Sequence, residues 1–273
     1  MAKTILITGA TDGIGLETAR LLATQGHDLL LHGRNAEKLS ATAGKLETLP
    51  QAGSISTYQA DFSTLSASAA LADDVLAKAS QLDVLINNAG VFTVQDGRTK
   101  DDLDLRFAVN TFAPYILARR FAALLGPQGR IVNLSSAAQA RLEEGALEGK
   151  RLLSDNAAYA QSKLAITMWT RHLADRWGKA GPMLVAVNPG SLLGSKMVKQ
   201  AYGLAGKELS IGANILVRAA LSDEFANAGG CYFDNDSGSF ADPHPHALDS
   251  NRNAQLVAVM EQVLAENGIS LPR

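Results

Sequence analysis

A single cysteine, Cys231, stands among 273 residues, which excludes an intrachain disulfide and a thiolate metal cluster. Aromatic residues are scarce at 5%, and charged residues make up 19%, against roughly 25% in soluble proteins at large. Because 47% of the residues are nevertheless hydrophobic, the interior must be built from Ala, Leu, Val and Ile, the material of parallel sheets covered on both faces. An excess of one charge is missing too: 25 basic and 27 acidic side chains leave a net charge of −2, and the basic ones are scattered. That argues against a phosphate-backbone footprint and excludes a nucleic-acid binder. No apolar run reaches the roughly 18 residues of a membrane span. The opening Met1-Ala2-Lys3-Thr4-Ile5-Leu6-Ile7-Thr8-Gly9 is also too short an apolar run for a signal peptide. The expectation is a soluble protein of a reducing, cytoplasmic compartment.

Apolar runs of strand length recur at 4–8, 28–32, 54–59, 84–87, 130–134, 184–188 and 230–233. Between the first two, Ile14, Thr18, Leu21 and Leu22 form one stripe of a helix that ends near Gly26. Alternating strands and helices predict right-handed βαβ crossovers. The chain therefore reads as one α/β domain over residues 1–273, a doubly wound, seven-stranded parallel sheet of the Rossmann type with helices on both faces. No repeat or linker divides it. Two stretches, 137–157 and 191–210, break the rhythm as long irregular loops, and loops of that length usually carry function. The tail from 234 to 250 reads as surface coil before a last helix at 253–266.

Directly after the first strand comes Thr8-Gly9-Ala10-Thr11-Asp12-Gly13-Ile14-Gly15, with a helix starting inside it. Backbone N–H groups at a helix start attract phosphate, and glycines let a pyrophosphate approach without a clashing Cβ. The spacing G-x-x-x-G-x-G departs from the G-x-G-x-x-G dinucleotide fingerprint. At the end of the second strand, where an NAD enzyme usually carries an acid for the ribose 2′-hydroxyl, the sequence has Gly33 followed by Arg34. A carboxylate would repel a 2′-phosphate, whereas Arg34 would bind one.

Tyr159-Ala160-Gln161-Ser162-Lys163 opens a helical segment, so Tyr159 and Lys163, at i and i+4, share a face. A phenol with a pKa near about 10 holds its proton at neutral pH, but an adjacent ammonium favours the phenolate, and the pair suits a general acid/base. In chain order there follow the glycine turn, Asn87-Asn88-Ala89-Gly90, Asn110, Asn133-Leu134-Ser135-Ser136, Tyr159-x-x-x-Lys163 and Asn188-Pro189-Gly190. Together they resemble the short-chain dehydrogenase/reductase family to about Phe233. The gap before Tyr159 and the texture of Tyr-x-x-Ser-Lys-Leu-Ala are most similar to its retinol-dehydrogenase-like and WW-domain-oxidoreductase-like members.

The resemblance implies the roles. Tyr159 would give or take the hydroxyl proton, Lys163 would lower its pKa and hold the nicotinamide ribose, and Asn110 would anchor a water linked to Lys163. Ser136 would hydrogen-bond the substrate carbonyl, with Ser135 left as the alternative. For the cofactor, the implied shell is Gly9, Thr11, Asp12, Gly13, Ile14, Gly15 and Arg34, then Asp61 and Phe62 at the adenine, with Asn87, Ala89 and Gly90 lining its ribose. Asn110, Tyr159, Lys163, Pro189 and Gly190 complete it on the nicotinamide side. Asp12 stands where many NADP-specific relatives have a second basic residue, which leaves Arg34 nearly alone, and Ser195 falls one residue late for the family's Thr contact. Asp61 also reads as a helix cap before Ser63 and Thr64.

The resemblance thus implies an NADP(H)-dependent oxidoreductase acting on a hydrophobic alcohol, aldehyde or ketone. Leu142, Leu147, Leu152, Leu192, Leu193, Met197, Tyr202 and Leu204, from the two irregular stretches, are the expected pocket lining, and glycines 190, 194, 203 and 206 suit a closing lid. A non-catalytic NADP(H)-binding redox sensor or scaffold is the rival. A nucleotide-sugar epimerase is disfavoured by the short chain that follows Pro189. The helix after Tyr159 commonly forms a subunit interface in the family, so a homodimer or homotetramer is open. His244 and His246 lack a third ligand, and no metal site is expected. Cys231 reads as an inert core residue in a strand.

Overall fold

The computed structural model describes residues 1–272, and the side chain of Tyr202, expected in the pocket, lies outside the described part. Strand β1 (Thr4–Ile7) leads into α1 (Gly13–Thr24), β2 (Asp28–Gly33), α2 (Ala36–Glu47), β3 (Ile55–Gln59), α3 (Leu65–Lys78) and β4 (Val84–Asn87). Next come α4 (Leu105–Phe107), a π-helical turn (Ala108–Phe112), α5 (Ala113–Leu125), β5 (Arg130–Leu134), α6 (Asp155–Trp177) and β6 (Met183–Asn188). The chain closes with α7 (Lys196–Tyr202), α8 (Leu209–Leu221), β7 (Tyr232–Asp234), β8 (Ser239–Ala241) and α9 (Ser250–Glu266).

The strands form one sheet in the order β3-β2-β1-β4-β5-β6-β7-β8, and its first seven members run parallel. Strand side chains alternate between faces, so Ile5 and Ile7 enter one core layer with Leu22 and Leu216, while Leu6 enters the other with Ile116 and Phe121. The chain reverses direction across the sheet between β1 and β4. At such a switch point the loops leaving the carboxyl ends of neighbouring strands part and leave a crevice.

The sheet has eight strands, not the seven expected. A turn at residues 234–238, closed by Gly238 at φ +71°, sends β8 back antiparallel to β7. Phe240 of this strand packs edge-on against Phe233, with ring centroids 5.1 Å apart. Its three residues, Ser-Phe-Ala, are exposed and too short for an alternating pattern to register, which is why the segment reads as coil. Cys231 lies just before β7 and is half-buried rather than inside a strand. The last helix starts at Ser250, three residues earlier than expected, capped by Asp249 through the Asn251 and Arg252 N–H groups.

Candidate active site

The glycine turn sits at the carboxyl end of β1, in the crevice. Gly9 and Gly13 both have positive φ, +67° and +54°, where a side chain costs strain. A Cβ on Gly15 would run into the Gly9 carbonyl and the Asn88 side-chain amide, and one on Gly9 would meet Ala89 Cα at 3.0 Å. The reason for this crowding is Asn88, whose Nδ2 donates to the carbonyls of Thr8 (2.8 Å) and Gly9 (3.1 Å) and pins the turn against β4. A second brace is His32 of β2, whose Nδ1 accepts the Gly9 N–H at 3.2 Å while Nε2 faces the Ala60 carbonyl at 3.1 Å. Its ring stacks on Phe62, 4.1 Å between centroids, and burial pushes its pKa down to about 4 against weaker opposition from Ala60 and Asp61. Neither Asn88 nor His32 is singled out by sequence reasoning; the signal available was the repeated placement of polar residues at strand ends.

Arg34 emerges exposed at the end of β2 and makes no ion pair among the described residues. Gly33 before it has a packing reason, since a Cβ there would meet Thr11 Cγ2 at 2.7 Å. Asp12 caps α1, accepting the Gly13 N–H at 2.9 Å, and pairs with Lys196 from the start of α7. Partial burial opposes its ionisation, but the Lys196 and Gly13 hydrogen bonds and the charges of Lys196 and Lys38 hold the carboxyl below its ordinary range. Lys38, in the first turn of α2, and Lys196 thus both act on Asp12 at the start of α1.

Helix α6 starts at Asp155, capped by Ser154 Oγ, which accepts the Ala157 N–H; it therefore takes in residues expected in the preceding loop. About two turns inside it, Lys163 Nζ lies 5.6 Å from the centroid of the Tyr159 ring. Nζ donates to the Leu134 carbonyl at 2.8 Å, the side chain is buried, and that burial lowers its pKa to about 8. Gly90 lies beside this arrangement, where a Cβ would stand in ordinary contact with Asn110 Oδ1 (3.4 Å) and Lys163 Nζ (3.7 Å). Asn110 lies in the π-helical turn, a distortion frequent at functional sites. Its Oδ1 accepts the Val91 N–H at 2.9 Å, and Nδ2 donates to Val91 O and Ser162 Oγ, both at 3.0 Å.

The two serines after β5 separate cleanly. Ser135 is buried, its hydroxyl spent on the Lys163 carbonyl at 3.0 Å and on Thr167 Oγ1 at 2.7 Å. Ser136 is half-buried, and its Oγ accepts the Ala138 N–H at 3.1 Å, so the hydroxyl proton is left to donate. Around Tyr159 the packing is also tied down from outside. Its ring meets Phe92 at 4.5 Å, and buried Arg106 donates to the Phe92 carbonyl and pairs with Asp104 and with Asp155, in the first turn of α6.

Other expected positions sit differently. Asn87 is buried and donates to Asn133 Oδ1 at 2.8 Å, tying β4 to β5; its own Oδ1 lacks a partner among the described residues. Asp61 is exposed and accepts the Ser63 N–H, while the cap of α3 is Thr64. Phe62 is buried beneath His32, and Pro189 and Gly190 form the turn leaving β6. Ser195 caps α7 and faces Gly13, 3.7 Å from where its Cβ would be. Of the expected pocket lining, Leu147 and Leu193 are core residues, Leu142 packs against the core and Leu152 is 84% exposed; only Leu192, Met197 and Leu204 leave apolar surface on the 191–210 excursion. That excursion is not all loop, since it holds α7 and a bridge between Leu193 and Lys207.

A family model for short chain dehydrogenases matches residues 3–203. Retinol dehydrogenase 12 of Mus musculus is 32% identical over 244 residues, which covers 85% of this chain and 77% of that protein. Among solved structures, an uncharacterised protein from Mycobacterium paratuberculosis superposes with a TM-score of 0.80 at 28% identity, over 99% of this chain and 95% of the other. A Burkholderia cenocepacia short chain dehydrogenase in complex with NADP gives 0.69 at 27% identity, over 85% and 95%. With the glycine turn, the eight-stranded sheet and the Tyr159/Lys163 pair all placed around one crevice, this chain belongs to the short-chain dehydrogenase family.

Proposed function

We propose that this protein is an NADP(H)-dependent oxidoreductase that interconverts a hydrophobic alcohol with its aldehyde or ketone, with Tyr159 as general acid/base. The observation that carries the reading is Lys163: a buried ammonium with one carbonyl partner and the Tyr159 ring beside it, held by no carboxylate among the described residues. An ammonium beside a phenol favours the phenolate, and the lowered pKa of Lys163 follows from its burial. Tyr159 holds the proton in the reducing direction and takes it in the other. Ser136 donates its free O–H to the substrate oxygen, and Asn110 keeps a lone pair on Oδ1 for a water beside Lys163.

The glycine turn suits a dinucleotide, because positive φ at Gly9 and Gly13 and the crowding of Gly9 and Gly15 against Asn88 and Ala89 exclude side chains there, which leaves bare backbone for a pyrophosphate to approach. Gly9, Thr11, Gly13, Ile14 and Gly15 would hold the pyrophosphate, Arg34 with Lys38 the 2′-phosphate, Asp61 and Phe62 the adenine, and Ala89 and Gly90 its ribose. Lys163, Pro189 and Gly190 would hold the nicotinamide half. A bound nicotinamide cofactor supplies or accepts the hydride. NADP in the Burkholderia relative supports the choice of cofactor. Exposed Leu192 and Leu204 and half-buried Met197 support an apolar substrate.

A panel of aldehydes and ketones, followed by loss of NADPH absorbance, tests the reading. On a substrate so identified, Tyr159→Phe keeps the ring and removes the transferable proton, so turnover should fall by about 10²–10⁴ while NADPH still binds. Near-normal turnover in that variant overturns the assignment, and NADPH binding without turnover on any carbonyl favours the sensor reading.

A further inference from the structure

We propose that Asp236, in the turn between β7 and β8, is a positioning residue that fixes the Asn188-Pro189-Gly190-Ser191 turn for the nicotinamide half of the cofactor. The proposal rests on the dinucleotide reading of the crevice. Asp236 Oδ1 accepts the Ser191 N–H at 2.9 Å, and Oδ2 accepts from Asn188 Nδ2 at 2.9 Å and from Ser191 Oγ at 2.5 Å. Lys207 Nζ stands 4.0 Å from Oδ1. One carboxylate therefore touches both roots of the 191–210 excursion, where the Leu193–Lys207 bridge brings the strands of chain together.

The turn needs such an anchor. Past Asn188, which pairs with Asp234, no sheet ladder among the described residues holds it, and Leu192 just beyond sits at φ +57°, in the left-handed region that a side chain disfavours. Neighbouring side chains complete the hold: Asn235 Nδ2 donates to the Pro189 carbonyl at 2.9 Å, and Asp234 Oδ1 accepts from Asn188 Nδ2 at 2.7 Å. Burial opposes the charge on Asp236, but the Ser191 and Asn188 hydrogen bonds and Lys207 keep its carboxyl low, so it stays an acceptor. Donors to a charged acceptor are worth more than neutral ones, and here three converge on one group.

The test is a binding titration with two probes, NADPH and adenosine 2′,5′-bisphosphate, which ends before the nicotinamide. Asp236→Ala should weaken NADPH roughly tenfold, the loss expected from one charge-assisted hydrogen bond at the low end of its range, and leave adenosine 2′,5′-bisphosphate binding unchanged. Asp236→Asn, which keeps one acceptor oxygen in place, should recover part of the loss. If Asp236→Ala does not fold, Asp236→Asn and Ser191→Ala must show the same split between the two probes. Equal loss for both probes, as a general structural defect would give, overturns the proposal, and so does unaltered NADPH affinity. Failure of the unmodified protein to bind either probe instead overturns the dinucleotide reading, and the anchor falls with it.

Discussion

His32 is held neutral because each ring nitrogen already has a fixed duty, accepting from Gly9 and facing the Ala60 carbonyl. Protonation would set two N–H groups against each other under the glycine turn. With a folded pKa of about 4 against an ordinary 6.5, the unfolded chain binds the extra proton first, so His32 lowers stability as pH falls from 6.5 towards 4. The full effect is about 3 kcal/mol at the acid end of that window. A His32→Gln variant should therefore lose stability relative to the unmodified protein at pH 7 and close the gap near pH 4 in denaturant titrations; a constant gap contradicts the argument. Arg34 and Lys38 act at the same scale. NADPH should bind about 10- to 100-fold tighter than NADH, the value of charge-assisted bonds to a 2′-phosphate, and less so in high salt. Arg34→Ala should remove most of that preference and Lys38→Ala a smaller part, and tighter NADH binding by the unmodified protein refutes it. Gly33 is left unchanged in this test because a side chain there strikes Thr11.

At the scale of elements, the excursion that carries α7 is fixed at its roots and lightly latched at its tip. The tip contact is the Lys196–Asp12 pair, with side chains 66% and 49% exposed. Such a pair is worth roughly 0.2–1 kcal/mol, too little to keep the tip shut against thermal motion. Amides of residues 197–206 should therefore exchange quickly in the free protein and slow when NADPH binds, whereas the Gly194 N–H, bonded to Lys207, should be protected in both states. Equal, strong protection of 197–206 with and without NADPH would show that α7 is not a lid.

At the scale of the whole molecule, α9 covers the face of α6 that the sequence offers as a subunit interface. Leu256, Val257, Met260, Val263 and Leu264 of α9 are buried in the core layer that holds Trp169 and Leu173 of α6. Glu261 reinforces the contact by accepting from Tyr115 at 2.7 Å and pairing with Arg119 of α5. Burying each of these apolar side chains contributes about 1.5–3 kcal/mol, so a partner subunit seeking this face of α6 would first have to displace α9 and offset that loss. Sedimentation at micromolar concentration should give a monomer, and a tetramer would contradict this account. No helix among the described residues is long and apolar enough to cross a membrane.

The sequence by itself determined what depends on near neighbours. Tyr159 and Lys163 share a face because a helix repeats every 3.6 residues. The Gly9–Gly15 turn takes its shape because a strand passing directly into a helix needs small residues there, and the alternation of strands and helices already implied the sheet. What only the tertiary structure decided is where distant polar groups meet. Asn88 reaches the Gly9 carbonyl across 79 positions, Lys196 reaches Asp12 across 184 and Asp236 reaches Ser191 across 45. Ser135 and Ser136 are alike as letters and differ only in that one hydroxyl is buried against Lys163 and Thr167. Periodicity records which face of an element is apolar, but the pairing of charges and hydrogen-bond donors is set by strand order and by turns too short to carry a period, and those are fixed only when the sheet closes.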